Sequence, residues 1–183
     1  HSAGYINKSN WLRERFNEGL KYIKINENGK PAGFIEYSPI EHSSRVVYGD
    51  NYLVIHCLWV NSTGKGYATK LINKCLQDAK AQSKHGVIVL TNPETSWTPS
   101  KEVFFKNNFI KVDHAPYGFE LLVHKLSHSS PNPYFPSDWD DRLQLFDDLT
   151  ILRTQQCPFV DVATENVMQA ASNLGLKADI RDI

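Results

Sequence analysis

The stretch Tyr52-Leu53-Val54-Ile55-His56-Cys57-Leu58-Trp59-Val60, followed by Asn61-Ser62-Thr63-Gly64-Lys65-Gly66 and then by Tyr67 to Lys80, decides the fold of this 183-residue chain. Its first nine residues are a nearly continuous apolar run of strand length. The last fourteen read as a helix: Ala68, Leu71, Ile72, Cys75, Leu76 and Ala79 recur at i, i+3, i+4 spacing, with Lys70, Asn73, Lys74, Gln77, Asp78 and Lys80 on the other side. One side of that helix packs on a sheet, and its first turn is left to face a ligand. The first N–H groups of a helix have no intrahelical acceptor and carry the positive end of the macrodipole. Glycines at 64 and 66 let the backbone come close to bound oxygens, so the turn is suited to a phosphate, although a Gly-x-Gly before a helix is also an ordinary tight turn.

Working outward, Val87-Ile88-Val89-Leu90-Thr91 is a second apolar run, the kind expected beside a parallel neighbour, which makes the unit strand, helix, strand. Upstream, Lys21 to Ile25 and Ala32 to Tyr37 alternate like half-buried strands around an Asn28-Gly29 turn. Asn10 to Leu20 reads as an amphipathic helix with Trp11, Leu12, Phe16 and Leu20 on one side, and Ser38 to Asp50 as an irregular excursion. Thr91 to Ser100 is a loop, Ser100 to Lys106 a short helix, and Phe109 to Val112 and Gly118 to His124 the closing strands. The fold class expected is α/β (α+β), a mixed and mostly antiparallel sheet flanked by helices.

Ser127 to Pro133 is the sharpest break in composition and has the character of a linker. Beyond it Asp138 to Asp148 is expected to be helical, Leu149 to Arg153 a strand, and Val162 to Leu174 a helix ended by Gly175. The division expected is residues 1–126, a linker at 127–137, and a second unit at 138–183 that is short for an independent domain.

Lysine plus arginine equals aspartate plus glutamate at 20 each, so no overall field favours nucleic acid or an anionic membrane surface. No apolar run approaches the roughly 20 residues of a membrane span. Cys57, Cys75 and Cys157 are odd in number and widely spaced, which argues against a disulfide framework and for a reducing compartment, the cytoplasm. No Cys/His cluster has structural-zinc spacing, so no metal is expected.

The run Leu58 to Ala68 resembles the acetyl-CoA-binding motif of the GNAT (Gcn5-related) N-acetyltransferases, in which a strand ending in Val leads into [Gln/Arg]-x-x-Gly-x-[Gly/Ala]; Asn61 stands at the Gln/Arg position. Ile55 to Val60, Trp11 to Phe16 and Phe119 to Leu122 resemble the YoaP-like branch of that family, which carries a thioredoxin-like segment after the transferase. The resemblance implies a direct transfer of acetyl from acetyl-CoA to an amine acceptor. The cofactor-binding residues it implies are Leu58, Trp59, Val60, Thr63, Gly64, Lys65, Gly66, Tyr67 and Ala68, with a backbone N–H at Cys57 or Leu58 on the thioester carbonyl. His56, Glu36 and Glu120 are the candidate bases, His56 because imidazole titrates near working pH.

The family's Tyr-x-x-x-Gly-Phe aligns with Phe104-Phe105-Lys106-Asn107-Asn108-Phe109, so Phe104 stands where a tyrosine would donate a proton, and Asn108 replaces the glycine. That substitution leaves open a binding module that senses acyl-CoA without turnover. Cys157, ahead of a helix but without the second cysteine of a Cys-x-x-Cys because Val160 takes its place, leaves open a monothiol redox adaptor.

Overall fold

The structure is a computed structural model that describes residues 3–95, 98–146 and 149–183. By contacts the chain divides into two units, one of residues 18–136 and one that joins residues 1–17 to 137–183.

The larger unit is a six-stranded sheet in the order β1-β2-β3-β4-β6-β5. Its strands are β1 (Lys21–Glu27), β2 (Lys30–Pro39), β3 (Tyr52–Val60), β4 (Gly86–Thr91), β5 (Ile110–Ala115) and β6 (Phe119–Lys125). All neighbouring pairs are antiparallel except β3 and β4, which are joined through helix α2 (Tyr67–Ala81). The mixed, mostly antiparallel sheet expected from the sequence is the one observed.

Helix α2 buries Leu71, Ile72, Cys75 and Ala79 against Ile35, Tyr37, Leu53, Ile55, Val87, Val89 and Leu122. Complete burial of a Leu or Ile side chain contributes about 2 kcal/mol, so this stripe alone fixes the helix to the sheet. The short helix α3 (Lys101–Phe105) adds Phe104 to the same cluster, edge-on to Phe109 with ring centroids 5.2 Å apart. The Tyr37 hydroxyl donates to Asp78 at 2.6 Å and ties β2 to α2. Burial, and that hydrogen bond, hold the Tyr37 hydroxyl well above the usual tyrosine range.

Residues 127–136 lie on this unit. Ser130 is buried, its hydroxyl donating to the His85 carbonyl, and Lys125 donates to the Ser130 carbonyl. Tyr48 and Tyr134 bridge, and the Phe135 N–H donates to Asp113.

The smaller unit contains α1 (Ala3–Phe16), α4 (Trp139–Leu143), β7 (Thr150–Arg153), α5 (Val160–Asn173) and β8 (Asp179–Asp182), with β7 and β8 parallel. The first helix runs Ala3–Phe16, where the apolar spacing predicts Asn10–Leu20, and the chain turns after it through Gly19 at a φ of 89°. Its buried residues are Gly4 and Lys8 rather than the expected Trp11, Leu12 and Phe16. The reason is a close crossing. A Cβ on Gly4 would lie 2.1 Å from the Pro158 carbonyl oxygen, Lys8 donates to the Gln156 carbonyl, and Asn7 donates to Asp161 at 3.1 Å.

The helix expected over Asp138–Asp148 is present as the single turn Trp139–Leu143, with residues 147–148 outside the described residues. Strand β8 was not expected; its four residues are all exposed and carry no apolar alternation. Residues 96–97 of the expected Thr91–Ser100 loop are likewise outside the described residues.

Candidate active site

The chemistry-bearing residues gather where β3 and β4 part. The two strands pair from Tyr52↔Gly86 to Ile55↔Val89, and their ladder ends there, although β3 runs on to Val60 and β4 runs on beside β6 to Thr91↔Glu120. The cause is on the other edge of β3. Glu36 pairs with Cys57 and Tyr37 with Ile55, so His56 is an extra residue on β3, a bulge that bends the strand and increases its twist.

The bulge also decides which side chains share a face. Ile55 and Leu58 both face α2, whereas His56 and Cys57 both face away from it, with their partners Ser38 and Glu36. Although its apolar surroundings in sequence suggest a core position, Cys57 is half-buried beside Glu36, while Cys75 is fully buried and its thiol pushed well up by desolvation. On the face away from α2, His56 Nε2 lies 2.8 Å from Ser38 Oγ, and the His56 carbonyl accepts from Arg45 Nη2 at 3.2 Å.

Arg45 is exposed as a residue, yet its guanidinium is the crowded end. Desolvation draws it below the usual arginine value, opposed by the negative charge available from Cys57 and Glu36. Glu36 is fully buried. Farther along the same face Tyr22, Phe34 and Trp59 form a row, with ring centroids 5.0 Å and 6.1 Å apart. Leu58 and Val60 pack on the α2 side, so the Trp59 side chain stands apart from its two neighbours.

Glu120 is not brought to this group. It shares the α2 face with Thr91, Val89 and Leu122, and its carboxylate is bridged by Lys101 and Lys111, both at 2.9 Å. Those two hydrogen bonds hold it below the usual carboxylate range.

The crossover β3-α2-β4 puts the start of α2 at the carboxyl ends of both strands, on the α2 face of the sheet. Crevices at the carboxyl ends of parallel strands are the usual place for a ligand in such a unit. The helix begins without a side-chain cap, its N-cap Gly66 at φ 73° and Gly64 at φ 81°, and the Lys70 N–H donating to the Gly66 carbonyl. The N–H groups before Lys70 have no earlier helical turn to donate to.

A Cβ at either glycine would meet no atom within 4 Å, so the space in front of the turn is open. Open space before an uncapped helix start is what an anionic group needs to approach. Thr63, Gly64, Lys65 and Gly66 are exposed, and Tyr67 and Ala68 half-buried. Lys65 is paired with Glu27 at 2.7 Å; Glu27 raises the lysine pKa, and Lys65, then Tyr67, lowers that of Glu27.

Phe104 is fully buried in the core cluster and offers no proton. Among the described residues no group of three or more His, Cys, Asp or Glu side chains could hold a metal, and no helix is long and apolar enough to cross a membrane. Sequence reasoning missed Ser38 and Arg45, which sit in or beside the excursion after β2 with no local pattern, and Thr91, a lone hydroxyl closing an apolar strand.

The chain is 32% identical over 155 residues to the uncharacterized N-acetyltransferase YoaP of Bacillus subtilis (strain 168), a match covering 83% of this chain and 61% of that protein, so the chain spans about three fifths of its curated relative. Among solved structures, yncA of Salmonella typhimurium, determined with its cofactor acetyl-CoA, superposes with a TM-score of 0.53 at 18% identity, over 69% of this chain and 77% of that one. The ribosomal-protein-alanine N-acetyltransferase of Brucella melitensis does so with a TM-score of 0.51 at 16% identity, over 66% and 78%. These likenesses bear on the fold. The model of the acetyltransferase (GNAT) family matches residues 2–104, more than half of the sequence and the whole of the β3-α2-β4 unit, and this chain belongs to that family.

Proposed function

We propose that this chain is an acetyl-CoA-dependent N-acetyltransferase that moves acetyl directly from the thioester to an amine of a small molecule or peptide. The observation that carries the reading is the parting of β3 from β4 at the His56 bulge, at the same end of the sheet as the uncapped start of α2. Backbone N–H groups from Thr63 to Ala68 hold the diphosphate, and the arm that bears the acetyl group enters between the strands, with an N–H of Cys57 or Leu58 on the acetyl oxygen. The acetyl-CoA found with yncA, a protein of the same fold, supports the choice of co-substrate.

His56 takes the proton of the attacking amine. Its ring is held by Ser38, and it shares its face with Glu36 and Arg45, away from α2. Glu120, bridged by two lysines on the opposite face, stays a structural carboxylate.

Calorimetry with acetyl-CoA followed by release of free CoA against a panel of amines tests the reading: binding with turnover is expected. Absence of acetyl-CoA binding overturns it. Binding without turnover on any amine favours the second reading, an acyl-CoA sensor, whose specific support is the buried Phe104 at the usual tyrosine position. In the smaller unit, the β7-α5-β8 arrangement with Cys157 just ahead of α5 supports a thioredoxin-like segment with at most a monothiol role.

A further inference from the structure

The α2 face of the parting holds a polar group, the Thr91 hydroxyl, without a partner among the described residues. Thr91 closes β4, its residue is 1% exposed, and its Oγ1 is buried with no hydrogen-bond partner among the described residues. A hydroxyl hidden from water without a partner is costly, and few survive in native proteins without a use. Its place is specific. Thr91 lies two residues past Val89, where the ladder between β3 and β4 ends, and alternation puts it on the same face as Val89, the face that carries α2.

The residue after it is pinned. The Asn92 N–H donates to Thr98 Oγ1 at 3.0 Å, the Thr98 hydroxyl is 3.1 Å from the Asn92 carbonyl, and the Asn92 side-chain amide donates to the Tyr117 carbonyl at 2.9 Å. The nearest acidic partner across β6, Glu120, is already taken by Lys101 and Lys111. Phe104, on the same face, has no hydroxyl to offer.

We infer that Thr91 Oγ1 is the hydrogen-bond donor to the sulfur of the acyl-CoA thioester, placed to stabilise the thiolate as it leaves. The inference rests on the acetyltransferase reading and gives the sulfur end of that site its missing polar contact. The two faces then divide the reaction. The amine nitrogen bonds to the acetyl carbon and gives its proton to His56 on the face away from α2, while the carbon–sulfur bond breaks and its electron pair stays on sulfur. Thr91 keeps its own proton, since an aliphatic hydroxyl is far too weak an acid to surrender it, and acts as a positioning donor. The thiolate is then protonated by solvent.

The test compares Thr91→Val, which removes the hydroxyl at nearly constant shape, with Thr91→Ser, which keeps it, in the full chain. Three readings are taken: steady-state kinetics, melting temperature, and the thiol pKa of free CoA bound to the protein, followed by the ultraviolet absorbance of the thiolate. A donor to the charged form lowers that pKa. The expected result for Thr91→Val is a kcat lower by about 10-fold with the KM for acetyl-CoA changed less than about 2-fold, a bound thiol pKa higher by about one unit, which is about 10-fold in the ionisation constant, and a melting temperature equal to or above that of the parent.

Thr91→Ser restores rate and pKa. Equal kcat and equal thiol pKa in parent and Thr91→Val overturn the inference, as does a rise in KM at unchanged kcat. If the parent itself binds neither CoA nor acetyl-CoA, it is the acetyltransferase reading that fails, and the inference goes with it.

Discussion

The two faces of the sheet differ most at the point where β3 and β4 part. On the α2 side the neighbours are apolar and closely packed: Ile55, Val89, Leu122, Phe104 and Leu71 surround the Thr91 hydroxyl, unpartnered among the described residues, and the Glu120 carboxylate there is bridged twice. On the other side, within the span of a few residues, stand Glu36, Ser38, His56, Cys57 and the guanidinium of Arg45. Both faces are served by the same strand. A regular β3 would have distributed its residues strictly in alternation, and the extra residue at 56 is what lets a nonpolar support and a polar cluster share it. On the proposed reading the α2 side gives rigidity and the cradle for the co-substrate, and the opposite side gives the proton chemistry.

That division can be broken. The largest effect is expected on the polar side: His56→Gln lowers kcat about 100-fold with the KM for acetyl-CoA little altered, because general-base help is worth roughly 100-fold or more. A loss no larger than that of Glu36→Gln, measured in the same assay, would move the base to Glu36. Next comes the cradle. Gly66 sits at φ 73°, where an alanine costs about 1 kcal/mol and a side chain stands between the N–H groups and the diphosphate. Gly66→Ala is expected to raise the KM for acetyl-CoA about 10-fold while kcat holds, and equal affinity by calorimetry would show that the turn is only a turn.

Two smaller effects sharpen the picture of the α2 side as support. Tyr37→Phe removes the 2.6 Å hydrogen bond to Asp78 and should lower stability in urea by about 1 kcal/mol with kcat unchanged. The smallest is a pH effect at Glu120. Its folded carboxyl is held below the ordinary value, so its stabilisation is present above an unfolded carboxylate pKa of about 4.3 and is lost as the pH falls through the lower folded value. Glu120→Gln is expected to flatten that part of the melting-temperature profile between about pH 5 and pH 3 and to leave turnover at neutral pH unchanged; a catalytic defect there would place Glu120 in the chemistry after all.

Much of this was legible from spacing. The bounds of β3, the face of α2 made by Leu71, Ile72, Cys75 and Ala79, and the apolar β4 follow from residue pattern, because burial imposes period there. The bulge was not legible. Cys57 two residues after Ile55 reads as its neighbour in the core, and only the pairing with β2 reveals the shift.

Arg45 escaped notice for a related reason, since a loop residue becomes meaningful only through what lies beside it in space. The first helix was misplaced because its contacts are made by Gly4 and Lys8, residues that no apolar period would select, against a segment about 150 positions away in the chain. Local pattern carries no information about so distant a partner.

Since β4 leaves β3 but stays with β6, the sheet consists of two panels, β1-β2-β3 and β4-β6-β5, whose strand pairing meets along Tyr52 to Ile55 and Gly86 to Val89. An elongated ligand lying in the notch would take the place of the absent stitching. Backbone hydrogens from Cys57 to Val60 should then exchange with deuterated solvent measurably more slowly once CoA is added, and the panels should melt as one body rather than loosening along the seam.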